Sequence, residues 1–156
     1  MLRLLNRRLL LATTVPLLAL WLTGCENEDA VLGVAPSAPL PGAMISLQND
    51  VQPIFDFNCA VSGCHSSPTF EENMSLEEAD TFDPVLGIVD VVSAQASPLK
   101  RVAPFDSDAS YLVNKIEGTA GSVGGDPTPM PRGGPLLSSA EIQIIRAWID
   151  QGAQDN

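Results

Sequence analysis

Apolar positions at helical spacing predict a first helix that starts after Ser46, a residue type well suited to cap a helix N-terminus. One face of this helix carries the apolar residues Leu47, Val51, Ile54 and Phe55. Pro53 lies inside the run, and because proline has no amide hydrogen we expect it to kink the helix or to delay its regular start. The helix leads directly to Cys59.

Two further helices are predicted in the second half of the chain. One follows residues 106–108, where two aspartates and a serine offer N-caps, and Gly118 is expected to end it. Its apolar face carries Ala109, Leu112, Val113 and Ile116. The last helix has the clearest pattern, because residues 138–141 form a capping box and Gly152 provides a stop. Its apolar face carries Ile142, Ile145, Trp148 and Ile149.

The segments between these helices predict short elements and loops. Residues 75–78, Ser-Leu-Glu-Glu, have the form of a capping box and predict a short helix to about Phe82. Residues 85–92 are apolar and β-branched, which favours a short extended segment. Residues 118–136 are rich in glycine and proline and predict a long loop. A structureless stretch of this length in a small domain usually has a function.

Residues 1–24 have the pattern of a targeting segment. Three arginines near the start precede an apolar run of about 14 residues, which suits a signal peptide and is too short for a comfortable membrane span. The run ends in Leu-Thr-Gly before Cys25, which resembles the lipobox of bacterial lipoproteins. The resemblance implies cleavage before Cys25 and lipidation of that residue. Glu26, in place of an aspartate, favours the outer membrane over the inner one. An ordinary secretory signal with a stray thiol is the alternative.

The net charge argues against some classes of binding partner, and the composition predicts a tether. Without the first 24 residues, the chain has 5 basic residues against 19 acidic ones, a net charge of about −14. Such a chain repels nucleic acid and anionic lipid headgroups and favours basic partners. Residues 25–45 are aperiodic and contain several prolines and glycines, so they predict a tether that precedes a domain of residues 46–153. Met44 and Ile45 could instead pack on that domain.

The candidate chemistry is concentrated in residues 59–65, Cys-Ala-Val-Ser-Gly-Cys-His, which hold two of the three cysteines and the only histidine. Two cysteines followed directly by a histidine is the arrangement that attaches a c-type haem. The thiols of Cys59 and Cys64 would form thioethers with the haem, and the imidazole of His65 would then be the proximal ligand of the iron. The usual spacer between the cysteines is two residues, whereas here it is four.

Two other interpretations of this segment stay open. Cys59 and Cys64 could form a disulfide, with His65 as a surface neighbour. The chain would then be a haemless lipoprotein module that binds other proteins. The segment could also bind another metal, but its three ligands lack an obvious fourth from cysteine or histidine.

A haem iron bound by His65 has a second axial position, and the chain has no second histidine to occupy it. Methionine is the usual alternative in electron-carrying c-type cytochromes, because its thioether raises the reduction potential. The candidates after the signal segment are Met44, Met74 and Met130. Met130 is favoured, since the prolines on either side of it restrict the backbone. An open site, suited to a gas sensor or a small peroxidase, is a further alternative.

The chain also resembles small bacterial monohaem cytochrome c domains, including those of lipoproteins and of large planctomycete-type proteins. Besides the haem motif, the similar segments are Arg-Val-x-Pro at 101–104, Ser-Tyr-Leu-Val-x-Lys-Ile at 110–116, Met-Pro-x-Gly-Gly-Pro-Leu-Leu-Ser at 130–138 and Ile-Arg-Ala-Trp-Ile-Asp-Gln-Gly-Ala at 145–153. The resemblance implies a mainly α, loop-rich cytochrome c fold, with the first and last helices packed around a covalently attached haem. It implies thioether bonds at Cys59 and Cys64. It also implies His65 and Met130 as axial ligands.

The predicted function is that of a membrane-anchored, periplasm-facing c-type cytochrome that carries single electrons and catalyses no bond-making reaction. The expected partner is a redox protein with a basic docking surface. Lys100 and Arg101 are adjacent bases, and in a haem domain such residues can pair with the propionates; a solvated surface pair is the alternative. The sequence shows no nucleophile–base pair, no phosphate-binding loop and no basic surface for nucleic acid.

Overall fold

The computed structural model describes residues 36–156, so the predicted signal segment and Cys25 lie outside the described residues. The described part contains three α-helices: α1 (Gln52–Asn58), α2 (Tyr111–Glu117) and α3 (Ser139–Asp150). It also contains a π-helical turn, Leu47–Val51, and the 3₁₀ turns Glu71–Asn73, Glu78–Asp80 and Ala120–Val123. Its only β-structure consists of isolated bridges. Residues 36–156 are therefore mainly α and rich in loops, as the sequence predicts.

The first helix shows the predicted effect of its proline. The hydroxyl of Ser46 accepts a hydrogen bond from the amide of Asn49 at 3.2 Å, which caps the N-terminus. The first turn is π-helical, and the regular α-helix begins at Gln52, one residue before Pro53. Because a proline in the first turn of an α-helix removes no internal hydrogen bond, the regular helix starts where proline is tolerated. The expected delay is confirmed.

The last helix begins and ends as predicted. The hydroxyl of Ser138 accepts from the amide of Glu141 at 3.3 Å, and the Glu141 carboxylate accepts from the amide of Ser138 at 2.7 Å. Beyond the end of α3, Gly152 has a φ of 108°, in the region that favours glycine. The ring of Phe105 lies so close that a Cβ atom on Gly152 would be 2.7 Å from it. The backbone conformation therefore favours glycine there, and any larger residue would also have to displace the exposed ring of Phe105.

The prediction that residues 106–108 cap α2 is wrong. The carboxylate of Asp106 accepts from the amide of Ala109 at 3.0 Å, within a turn that precedes the helix. The N-cap residue is Ser110, whose hydroxyl is committed to the preceding loop: it accepts from the amide of Ala103 and donates to the carbonyl of Asp106, each at 2.8 Å. Gly118 ends α2 with a φ of 71°, as expected.

Residues 75–82 form no α-helix, so the capping-box prediction is wrong at this place. The hydroxyl of Ser75 accepts from the amide of Glu77, two residues on, which makes a local turn. Only the 3₁₀ turn Glu78–Asp80 follows. Leu76 is buried in the core, but Phe82 at the end of the segment stays exposed, so a helix here would bury only one large apolar residue. The predicted extended segment 85–92 is represented by isolated bridges at Val89 and Val92.

The larger of two hydrophobic clusters in residues 36–156 joins the first helix, α2 and α3. Its largest fully buried members on these elements are Leu47, Val51, Phe55, Val113, Ile145, Trp148 and Ile149. The amide of Ile45 donates to the side chain of Gln151 at 2.8 Å, which ties the start of the packed chain to its end. Ile45 is 5% exposed and belongs to the core, whereas Met44 is 71% exposed. None of the helices in residues 36–156 is long and apolar enough to cross a membrane.

Candidate functional site

A cleft opens beside the C-terminal end of α1 and consists of two compartments. The first compartment has walls from Leu76, Leu112 and Ile116 and a volume of about 640 Å³, part of it open to solvent. The second compartment is lined by Phe57, Cys64 and Pro135, among others, and has a volume of about 1080 Å³, again including open space. Both compartments share the lining residues Cys59, His65, Glu72 and Met130. They are therefore neighbouring parts of one cleft.

The structure brings the residues singled out by the sequence together at this cleft. Cys59, His65 and Met130 line both compartments, and Cys64 lines the second. Of the other two methionines considered as ligands, Met74 lines the first compartment and Met44 lies outside the lining of both. The loop 118–136 and the segment 59–65, far apart in sequence, thus form one site.

The imidazole of His65 is held in a defined orientation. His65 is buried at 7% exposure, and its Nδ1 lies 3.3 Å from the carbonyl oxygen of Met74. Because a carbonyl only accepts hydrogen bonds, this contact selects the tautomer with hydrogen on Nδ1 and leaves the lone pair on Nε2. Burial lowers the pKa of His65, and the hydrogen bond to Met74 opposes this shift only in part. A neutral imidazole is the form that binds a metal ion.

The two cysteines of the motif are free thiols, so the disulfide considered from the sequence is not formed in this structure. Cys59 is buried at the end of α1, where its amide donates to the carbonyl of Phe55 at 2.8 Å. Burial, with a smaller contribution from the nearby Cys64, raises the pKa of the Cys59 thiol to about 12. Between the cysteines, Gly63 has a φ of 83°, which lets the chain turn within the motif. The amide of His65 then donates to the carbonyl of Cys59 at 3.1 Å.

The loop that carries Met130 is attached to α2. The amide of Met130 donates to the carbonyl of Lys115 at 3.0 Å, and the side chain of Met130 is half-buried. The ammonium group of Lys115 contacts the same loop at Asp126 and Thr128. The position of Met130 in the cleft is therefore determined by the packing of α2.

Arg101 is a cleft residue whose role the sequence did not predict. It is only 7% exposed, so the expectation of a solvated surface pair is wrong for it. Its guanidinium group donates at 2.7 to 3.2 Å to the backbone carbonyls of Glu72, Asn73, Val85, Leu86 and Gly87. The neighbouring Lys100 is half-buried and forms an ion pair with Asp90. Arg101 therefore joins two loops beside the cleft, while Lys100 does lie in a surface pair.

Lys115 is the second cleft residue that sequence reasoning missed. It lines the first compartment and is 6% exposed. A signal was present, because Lys115 lies four residues after Tyr111 and three after Leu112 and so shares their face of the helix. Both of those residues are buried. A lysine at such spacing is expected to point inward and to need buried acceptors.

The chemistry of the cleft is that of one imidazole, two thiols and the thioethers of Met74 and Met130, beside the buried cations Arg101 and Lys115. Among residues 36–156, no cluster of three or more histidine, cysteine, aspartate or glutamate side chains could hold a metal ion by itself. No family model, no curated protein and no solved structure matches this chain. A function is therefore assigned from the geometry of the cleft.

Proposed function

We propose that this chain is a c-type cytochrome that carries single electrons through one haem c. The observation that carries the proposal is the presence of Met130 in the same cleft as Cys59, Cys64 and His65. A covalently attached haem needs two thiols followed by a histidine, and an electron carrier commonly adds a methionine as the second axial ligand. These four side chains come from two distant parts of the sequence, and the fold brings them to one cavity.

The residues of the cleft fit such a group. A porphyrin offers a large apolar surface, and Leu76, Leu112 and Ile116 provide apolar walls. Both thiols are free to form thioether bonds, since neither takes part in a disulfide. When bound, the haem would supply the iron that accepts and releases one electron.

The chain's own residues would orient the ligands and limit access to water. The carbonyl of Met74 holds the imidazole of His65, so that Nε2 is the nitrogen left to bind iron. The sulfur of Met130 would be the distal ligand, with its backbone fixed by Lys115. No bond-making reaction is required of any side chain, which is the basis for proposing an electron carrier and not an enzyme.

We extend the proposal to the location of the protein. Lipidation of Cys25 would anchor the chain in the cell envelope facing the periplasm, in the outer membrane by preference, and a net charge of about −14 after cleavage would favour a basic redox partner. Cys25→Ser is expected to release the protein from the membrane fraction without changing its absorption spectrum. Cell fractionation followed by immunoblotting measures this, and a variant that stays in the membrane fraction would contradict the anchor.

The decisive experiment is a search for covalent haem. The chain would be produced in a host that has c-type haem maturation proteins, then denatured in acid, and its mass measured. We expect the mass to exceed that of the polypeptide by one haem, and the double variant Cys59→Ala, Cys64→Ala to lose this addition. A colourless protein whose two thiols are joined would refute the cytochrome and support the haemless interaction module.

A further inference from the structure

We infer that Lys115 is a positioning residue for the proposed distal ligand: its buried ammonium group holds the loop that presents Met130 to the cleft. This inference rests on the proposed function, because it concerns the loop that carries the axial methionine. Lys115 would act through the backbone of residues 126–130 and would not itself touch the iron.

The sequence of this loop explains why it needs a donor from elsewhere. Prolines alternate with other residues at positions 127, 129 and 131, so only three residues of the stretch 126–131 have an amide hydrogen. Of these, the amide of Thr128 donates to the Asp126 carboxylate at 2.7 Å, inside the loop itself. Of these three amides, only that of Met130 donates to the backbone of α2. The carbonyl groups of the loop are then the acceptors through which a donor on α2 can attach the loop further.

Lys115 supplies that attachment from a single position. Its Nζ donates to the carbonyl of Thr128 at 2.6 Å and to that of Asp126 at 3.1 Å. Its own carbonyl accepts from the amide of Met130 at 3.0 Å. One lysine thus contacts residues 126, 128 and 130, which alternate with the prolines. Hydrogen bonds from an ammonium group are roughly twice as strong as neutral ones.

The hydrogen bonds to the carbonyls, and not an ion pair, are the main attachment. The Asp126 carboxylate lies 3.9 Å from Nζ, which is longer than a hydrogen bond. Lys115 is buried at 6% exposure, so without its ammonium group the two carbonyls would have little compensation from water. Because α2 packs in the core through Val113 and Ile116, it is a firm support for the loop.

The test compares Lys115→Leu with Lys100→Leu in the full-length, haem-loaded protein. Leucine keeps good helix propensity, removes charge and donors, and adds no new iron ligand. Lys100 is the matched control, because it loses the same charge on the surface, where it pairs with Asp90. Two readouts are compared: amide hydrogen exchange of peptides covering 126–136, and the weak sulfur-to-iron charge-transfer band of the oxidised protein.

We expect Lys115→Leu to speed exchange in this loop on the order of ten- to a hundred-fold and to weaken or abolish the sulfur band, while the covalent haem is retained. Lys100→Leu should change neither readout. If Lys115→Leu behaves like Lys100→Leu, the inference is refuted. A lower reduction potential with the band and the exchange both unchanged also refutes it, because Lys115 would then act only through its charge.

Two further arms keep the test decisive. If Lys115→Leu does not fold, Lys115→Gln replaces it: glutamine keeps a shorter polar donor without the charge, and it should speed exchange in 126–136 by a smaller factor. Unchanged exchange in that variant counts against the inference. Failure of the proposed function is recognised separately, since a wild-type chain without covalent haem refutes it whatever the variants show. A wild-type chain with haem and the sulfur band, beside an unchanged Lys115→Leu, refutes the positioning role alone.

Discussion

On each side of the cleft, a buried cation donates hydrogen bonds to backbone carbonyls of loops, but the number of these hydrogen bonds differs between the two sides. On the histidine side, Arg101 donates to five backbone carbonyls that belong to two loops. On the methionine side, Lys115 donates to two carbonyls of one loop. His65 is buried, whereas Met130 is half-buried. In each case a buried cation organises a loop that lacks regular hydrogen bonding of its own. The methionine side has fewer such hydrogen bonds, so we expect its loop to unfold locally at a lower free-energy cost than the loops on the histidine side.

The largest effect is expected from loss of the cation on the histidine side. Arg101→Leu would remove the guanidinium donor from five carbonyls, of which only that of Leu86 also accepts from a backbone amide. We expect the free energy of unfolding to fall by about 3 kcal/mol or more. Urea unfolding of the variant and the wild type measures this difference. Arg101→Lys serves as the control, since it keeps the charge but loses the forked geometry and should have an intermediate effect. A loss below that of Lys115→Leu would reverse the comparison between the two sides.

The next effect concerns the two methionines that line the cleft. If the proposed haem is bound, Met130→Ala should abolish the sulfur-to-iron band and lower the reduction potential, because the proposed soft ligand is lost. Loss of the partly buried side chain should cost about 2 kcal/mol of stability. Met74→Ala should keep the band, since only its backbone carbonyl is assigned a role, in orienting His65. Spectra and potentiometry of the two variants decide the matter. Loss of the band in Met74→Ala and not in Met130→Ala would show that Met74, and not Met130, is the iron ligand.

A smaller effect tests how the methionine loop packs on α2. A Cβ atom on Gly125 would lie 2.3 Å from the hydroxyl of the buried Tyr111, so Gly125→Ala must displace that ring. We expect a loss of about 1 to 2 kcal/mol, measured by urea unfolding. Gly134→Ala is the control in the same loop, because the nearest atom to its Cβ would be 3.8 Å away, on Pro131. Equal stability of the two variants would mean that the close approach at Tyr111 is relieved without cost.

The smallest effect is the pH dependence that His65 contributes on the histidine side. Burial lowers the folded-state pKa of His65 below its ordinary value of about 6.5, so its contribution to stability is fully present above that pH and is lost as the pH falls toward the folded-state pKa. In a haem-free background with Cys59→Ala and Cys64→Ala, His65→Gln should therefore remove part of the stability loss seen below about pH 6.5. Parallel pH profiles with and without His65 would show that other groups account for the acid sensitivity.

The helices at the two ends of the packed chain could be predicted because their signals are local. The cap at Ser46, the delay caused by Pro53 and the box at Ser138 each act over a few residues, through hydrogen bonds that the same segment makes or lacks. The helix predicted after Ser75 is absent from the structure, although Ser-Leu-Glu-Glu has the form of a capping box there. A cap adds stability only where a helix has an apolar face to bury, and the segment after Ser75 has too little apolar surface.

The proposed haem motif of residues 59–65 could be recognised in the sequence, because the chemistry of thioether attachment would set the order of its residues; its role stays a prediction. The side chains that surround this segment in the fold could not be predicted from the sequence in this way. Arg101 and Lys100 are adjacent and chemically alike, yet only Arg101 meets a group of backbone carbonyls that need a donor, whereas Lys100 pairs with a surface carboxylate. Those carbonyls belong to loops distant in sequence. Only the tertiary structure therefore decided which base was buried, and by placing Lys115 under the loop 126–130 it also decided where Met130 would lie.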